Sequence, residues 1–277
     1  MIPSLGLGIG WRPELAHFIE RREDLGFVEV VAENVSAPHA VPAAVDALRE
    51  RGVRVIPHGI SLSLGSPGPL DRDRVKRLAK LARRVDAPVV SEHIAFVRGG
   101  GREAGHLLPV PRTREQLGVL VANIRAVQSA LDVPFAVENI AALFEWPHAE
   151  MSEAEFLAEL LDQSGALLLL DLANVHANAM NLGATRDVFA DVPVDRLAYV
   201  HVAGGEERDG LYHDTHAHRT PPEVLDLVEH LSMRTDVPGL MLERDELFPS
   251  DAELTEELNA IAHAATAGRS QRVAHVG

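Results

Sequence analysis

The segment ALLLLDL, residues 166–172, decides the reading of the fold. A run this apolar leaves a strand no polar face, so it is buried on both sides, as in a parallel sheet covered by helices. Outward from it, similar runs lie at 5–10, 27–32, 53–60, 89–94, 134–140, 197–203 and 239–244. Between them are amphipathic stretches at 13–23, 41–51, 71–85, 113–131, 152–163, a short one near Arg186, 221–231 and 251–265. Thr113 with Gln116 and Ser152 with Glu155 have the spacing of capping boxes at helix starts. Strict alternation of eight strands and eight helices predicts a single (β/α)8 TIM barrel over residues 1–267, with 268–277 as a flexible tail. An open doubly wound sheet is the alternative, but GLGIGW at 6–11 resembles a dinucleotide fingerprint only superficially.

Composition narrows the chemistry. The 277 residues include no cysteine, which excludes disulfides, thiolate zinc sites, iron–sulfur clusters and cysteine nucleophiles. A metal here must be held by histidine, carboxylate, amide or water. The net charge of −15 disfavours nucleic acid, whose binders neutralise phosphates with a basic face. No run approaches the roughly 18 apolar residues of a membrane span, and the start lacks a basic signal-peptide region. The expected compartment is the cytoplasm. Lys76 and Lys80 are the only lysines, both on the expected solvent face of the 71–85 helix, which removes Schiff-base and P-loop lysine mechanisms.

In a barrel of this type the active site lies at the C-terminal ends of the strands. There the sequence puts His58, then Glu92 and His93, Glu138 and Asn139, Asp171 and Asn174, His201, and Glu243. The segment after the seventh strand adds His213, Asp214, His216 and His218. A single strand-end histidine or capping acid is an ordinary structural residue. Six consecutive strands ending this way would crowd carboxylates and imidazoles into one cavity, at a cost of several kcal/mol unless cations are bound. Oxygen and imidazole donors suit iron, manganese or zinc. The candidates exceed the three or four ligands of one tetrahedral zinc, so two or three ions bridged by a central carboxylate fit better, with Glu138 as the bridge. Asp214 and His216 project to one side of an extended segment, which suits ligands. His176 is a candidate ligand or a hydrogen-bonding neighbour of one.

The segments PHGISLSLGS (57–66), VSEHIAF (90–96), VENIA (137–141), LLDLANV (169–175), VHVAGG (200–205) and HDTHAH (213–218) resemble the multinuclear non-heme iron-dependent oxidases. So do the opening GLGIGWRP (6–13) and VEVVAEN (28–34), and the likeness covers about residues 3–250. It implies a barrel related to xylose isomerase and endonuclease IV, with two or three irons of mixed Fe2+/Fe3+ state at its mouth. It further implies oxidation of a ribosomally made precursor peptide with dioxygen, typically at cysteine and in some members at asparagine or aspartate. Carried over by position, His58, His93 and Glu138 hold one metal, and Glu138, Asp171, His201 and Glu243 the next. Asn174 or His176, with Asp214 and His216, holds the third. His93, Glu138 and Asp214 are the expected catalytic residues, and Asn34 a substrate contact. His176 departs from the family, where an aromatic residue is commoner.

The resemblance also implies a leader-binding partner, expected as a separate protein because the barrel uses the chain fully. Competing functions are an endonuclease IV-like phosphodiesterase, disfavoured by acidic charge, and a sugar isomerase, disfavoured because neither lysine can reach the mouth. A non-enzymatic metal-binding or scaffold protein is the remaining class.

Overall fold

The computed structural model describes residues 2–36, 40–100, 102–183 and 192–276. In chain order the strands are β1 (Gly6–Gly10), β2 (Phe27–Val31), β3 (Arg54–Gly59), β4 (Val90–His93), β5 (Phe96–Gly99), β6 (Arg102–Leu108), β7 (Phe135–Glu138), β8 (Leu167–Asp171), β9 (Leu197–Val202), β10 (Gly204–Arg208), β11 (Leu211–His218) and β12 (Gly239–Leu242). Eight of them close a barrel in the order β1-β12-β9-β8-β7-β4-β3-β2. Every pairing in it is parallel, and Gly6 of β1 stands opposite Gly239 of β12 where the ring closes. The helices are α1 (Ala16–Arg21), α2 (Ala32–Val35), α3 (Ala43–Glu50), α4 (Arg72–Val85), α5 (Arg114–Gln128), α6 (Glu153–Ser164), α7 (Leu172–Leu182), α8 (Pro222–Arg234) and α9 (Asp251–Val276).

Local chemistry sets the helix ends. Asp71 accepts from the amides of Asp73 and Arg74 to start α4, and Thr113 accepts from Gln116 N to start α5. The Ser152–Glu155 capping box is complete at α6, which Gly165 then ends in a left-handed conformation at φ 72°. Lys76 and Lys80 are both exposed on α4, away from the barrel interior.

The segment around Arg186 lies outside the described residues. Three features differ from the sequence reading. Between β8 and β9 the described residues form α7, which begins at Leu172 because the Asp171 carboxylate accepts from Asn174 N at 2.7 Å. Two hairpins, β5–β6 and β10–β11, occupy segments expected as loops, because their short polar strands carry no apolar alternation to reveal them. Residues 268–276, expected as a tail, continue α9. Gly268 does not stop that helix. A Cβ there would stand 2.2 Å from Glu229 O of α8, so the glycine is where two helix backbones meet.

Apolar residues form two bodies. One fills the space between sheet and helices. The other lies inside the barrel, where Phe27, Ile56, Val89, Ala136, Leu169, Tyr199 and Met241 contribute from successive strands. Gly8 of the GLGIG stretch faces this interior body, since a Cβ there would sit 2.4 Å from the Phe27 ring. Its role is steric fit, which accounts for the motif without a phosphate.

Candidate metal centre

Strand side chains alternate with a period of two, so residues two positions beyond the interior apolar body also point inward, one layer nearer the mouth. That layer consists of Glu29, His58, Ser91, Glu138, Asp171, His201 and Glu243, all buried. The same backbone register that seals the barrel floor thus stacks four carboxylic acids, two imidazoles and a serine hydroxyl above it. His93 stands one step above Ser91 on β4.

Glu138 lies between two groups of donor atoms. Its Oε2 is 3.4 Å from His58 Nε2 and 3.3 Å from His93 Nε2. Its Oε1 is 3.3 Å from His201 Nδ1, which in turn is 3.0 Å from Glu243 Oε2 and 3.7 Å from Asp171 Oδ2. Ligands about 2.1 Å from one ion stand roughly 3–3.5 Å apart, so most of these spacings suit donors around a shared cation. Among the described residues, four groups are close enough to hold an ion: His58–His93–Glu138, Glu138–Asp171–His201, Asp171–His216–Glu243 and Glu29–His201–Glu243.

The electrostatics of the cluster carry a penalty in its uncharged surroundings. Burial, with His93 and His201 adding to it, pushes His58 well below its ordinary range, so that ring is neutral. Burial opposes the charge of His93 too, but Glu138 and Glu92 outweigh it and raise the group to about 9. His201 and His216 are also raised, against their burial, by Glu29, Glu243 and Glu138 for the first and by Asp214 and Glu243 for the second. Burial raises Glu138 despite His93 and His201, and it raises Asp214 despite His216. Glu243 goes the other way: its burial is overcome by His216, His201 and Arg12. Protons are thus drawn onto three histidines to balance the acids, and cations would balance the same acids while freeing those ring nitrogens.

A more direct indication is a set of buried cluster atoms with no hydrogen-bond partner: Glu29 Oε1, Glu138 Oε2, Asp171 Oδ2, Asn174 Oδ1, His201 Nδ1 and Asp214 Oδ1. Buried polar atoms normally find partners, and a group of lone-pair donors lacking them at one place suits the binding of cations. The residues present therefore fit a multinuclear centre of oxygen and nitrogen ligands.

Other expected residues divide in two. Asn174 lies in the first turn of α7, donating from Nδ2 to Asn139 O at 2.9 Å. His176, two residues further, is buried edge-on against Tyr212 at 4.8 Å between ring centroids and enters none of the four groups. Asp214 and His216 do share one side of β11, with Asp214 Oδ2 2.6 Å from His216 Nε2. The other His216 nitrogen is 3.0 Å from Asp245 Oδ2, so carboxylates engage both nitrogens. Glu92 faces outward, where its Oε2 accepts from the amides of Ser61 and Leu62. His213 and His218 lie outside the four groups.

Sequence reasoning missed Glu29, Ser91 and Tyr199, which contact the cluster from within the strands, and Arg12 and Asp245, which support His216 and Glu243. Arg12 donates to Asp245 Oδ1 at 2.7 Å and lies 3.5 Å from Glu243. Glu29 and Ser91 had a findable signal, since each occupies the same two-residue step beyond an apolar neighbour that His58 does.

Above the cluster is a cavity of about 770 Å³, whose lining includes His58, His93, His216 and Glu243 from the cluster and Asn34 from α2. The β5–β6 hairpin supplies much of its wall through Val97, Glu103, Gly105, His106 and Leu107. Glu33 and Asn34 after β2 and His216 after β9 line it as well. Ser63, at φ 59°, anchors that hairpin by accepting from the amides of Val97 and Arg98 at 2.9 and 3.2 Å. Gly65 fits against Ala95 O and Val110, where a Cβ would lie 3.1 and 2.6 Å away. The SLSLGS stretch therefore secures the roof of the mouth.

Comparison with known proteins agrees with this architecture. A family model described as RiPP precursor modification enzyme MbnB/TglH/ChrH matches residues 6–266. A UPF0276 protein of Streptomyces avermitilis is 52% identical over 93% of this chain. The chain spans only 54% of that relative's length. A UPF0276 protein of Caulobacter vibrioides is 36% identical, with 96% of each chain covered. Among solved structures, an L-ribulose 3-epimerase aligns with a TM-score of 0.61 at 14% identity, covering 98% of both chains. A D-psicose 3-epimerase aligns with a TM-score of 0.59 at 12% identity, covering 95% of this chain and 99% of that one. At such identities the likeness establishes the barrel fold alone.

Proposed function

Because the chain belongs to the family of RiPP precursor modification enzymes MbnB/TglH/ChrH, we propose that it is an iron- and dioxygen-dependent oxidase acting on a ribosomally made precursor peptide. The observation that carries this reading is the set of buried, unpartnered donor atoms gathered from successive strands around Glu138. His58, His93 and Glu138 would hold one iron, and Glu138, Asp171, His201 and Glu243 a second. A third would be held by Asp214 and His216 with Asn174 or His176. The contact of His176 with Tyr212 favours Asn174 as the amide-side ligand. Bound iron would supply dioxygen activation and would acidify a coordinating thiol or amide of the substrate.

The chain's own residues do the positioning. His58, His93, His216 and Glu243 line the cavity on the side of the cluster, and the β5–β6 hairpin walls it, so a side chain entering from above is held near the cluster and shielded from bulk water. Asn34 lines the same cavity and is the candidate contact for the peptide backbone. On the mouth side, Leu143, Phe144 and Trp146 are exposed after β7, with Trp146 Nε1 donating to Pro109 O next to the hairpin. This apolar rim suits a peptide better than a sugar. The two arginines of the cavity lining are engaged by acids, Arg12 with Asp245 and Arg74 with Glu103, which counts against a phosphodiester substrate.

Leader recognition is assigned to a separate partner protein, and the acidic charge of the chain suits a basic leader or partner. The test is to incubate anaerobically purified, iron-loaded protein with a precursor peptide encoded beside it, with and without the neighbouring protein, and to follow peptide mass on admitting dioxygen. A mass change that needs iron and dioxygen supports the oxidase, and an increase in rate with the neighbour supports the partner. Modification that proceeds without dioxygen would refute the oxidase reading.

A further inference from the structure

Beneath the candidate metal centre, a buried hydrogen-bond chain joins two of its histidines. His58 Nδ1 is 2.8 Å from Ser91 Oγ, which is 2.7 Å from the Tyr199 hydroxyl. That hydroxyl is 2.5 Å from Glu29 Oε2, and the same oxygen is 2.8 Å from His201 Nε2. All five side chains are buried, and they come from strands β2, β3, β4 and β9.

The proton positions follow from the acid at the end. An ionised carboxylate only accepts, so Tyr199 and His201 Nε2–H both donate to Glu29. With its one proton committed, the Tyr199 oxygen accepts from Ser91. The Ser91 proton is then committed too, so Ser91 accepts from His58 Nδ1–H. One residue, Glu29, thereby sets the direction of every bond in the chain. His93 reaches the same outcome locally, because its Nδ1 faces Gly59 O at 3.2 Å, and a carbonyl also only accepts.

We propose that Glu29, Tyr199 and Ser91 are positioning residues for the metal centre, holding His58 as its Nδ1–H tautomer and His201 as its Nε2–H tautomer. Each ring then turns its remaining lone pair, His58 Nε2 and His201 Nδ1, toward Glu138. This explains why the two histidines offer different ring nitrogens to one carboxylate. It also gives Glu29 Oε2 a role other than ligation, although Glu29 lies close enough to His201 and Glu243 to be grouped with them. Partners behind ligating histidines fix ring orientation and raise ligand basicity, and their loss typically weakens metal binding by about 10–100-fold.

The inference rests on the metal-centre reading, and the experiment separates the two. Zinc serves as a diamagnetic probe: protein labelled with 15N-histidine is loaded with zinc, and long-range 15N–1H correlations report which ring nitrogen carries hydrogen. The expected result is hydrogen on Nδ1 of His58 and on Nε2 of His201. Zinc and ferrous affinities are then measured for Tyr199→Phe, Ser91→Ala, Glu29→Ala and Glu29→Gln, with unfolding of the metal-free proteins as the control for folding. Tyr199→Phe keeps the ring that packs edge-on against Phe27 at 5.8 Å. It should lower affinity by about 10–100-fold while the metal-free protein stays folded. Glu29→Gln keeps an acceptor oxygen and should bind metal more tightly than Glu29→Ala. The opposite tautomer at either histidine in the wild type overturns the inference, whatever the variants do. Folded Tyr199→Phe and Ser91→Ala proteins with wild-type affinity also overturn it, leaving the metal centre intact. A wild-type chain that takes up neither metal overturns both.

Discussion

Glu138 Oε1 lies 3.3 Å from His201 Nδ1, with the other oxygen of the same carboxylate turned away toward the imidazoles of His58 and His93. One side chain on β7 is thus the shared wall of two donor groups. The rest of each group is separate, since His58 and His93 contribute to one and Asp171 to the other. Substitutions on the two sides of Glu138 should therefore have separable effects.

His93→Ala should remove the iron held by the His58–His93–Glu138 group and abolish peptide modification, while the group around His201 remains filled. Metal analysis of the anaerobically purified variant checks this. Wild-type iron content in His93→Ala would mean that His93 is no ligand.

Ser63→Ala removes the acceptor that holds two amides of β5. The hairpin over the mouth should loosen, and limited proteolysis should cut between β5 and β6 faster than in the wild type, with iron content unchanged. Equal cleavage rates would show that the hairpin is held by other contacts.

The barrel was legible because its strands are apolar on both faces and its helices are amphipathic, so the two periodicities separate cleanly along the chain. Strand-end polar residues marked the cluster for the same reason: Glu138 and Asp171 interrupt otherwise apolar runs. The hairpins were not legible, because REAGHLL and GGEER are polar segments of low strand propensity whose pairing depends on the chain around them. The supporting layer was harder still. Glu29 sits in mid-strand, and Tyr199 reads as one more core aromatic until the closed barrel sets it opposite Ser91 across the interior. The sequence ends the last helix early because a glycine near a helix end usually signals a stop, whereas Gly268 serves a close crossing of α9 with α8.

That crossing gives a stability prediction. Gly268→Ala inserts a methyl group 2.2 Å from Glu229 O and 2.8 Å from Ser232 Cβ. Relief requires the two helices to separate, and overpacking of this kind costs about 1–3 kcal/mol. Denaturant unfolding should show a loss of that order. A gain in stability, as expected for glycine to alanine in an uncrowded helix, would contradict the crossing.

Arg244 and Glu257 form a buried pair, with Arg244 Nη2 3.0 Å from Glu257 Oε2. The other Glu257 oxygen accepts from Thr220 N and Oγ1 at 2.6 and 2.8 Å, joining the end of β12, the start of α8 and α9. Arg244→Met would leave a buried carboxylate without its cation and should cost about 3–5 kcal/mol, measured by denaturant unfolding. The double variant with Glu257→Leu should recover part of that loss, and no recovery would mean that the pair does not couple.

The central claim, a multinuclear iron centre bridged by Glu138, is tested most directly by metal analysis and Mössbauer spectroscopy on anaerobically purified wild-type and Glu138→Gln proteins. The account predicts more than one iron per wild-type chain, with spectra from distinct nitrogen and oxygen environments. It predicts loss of bound iron in Glu138→Gln, because an amide cannot serve two cations as a carboxylate does. Full iron loading with unchanged spectra in Glu138→Gln would contradict it.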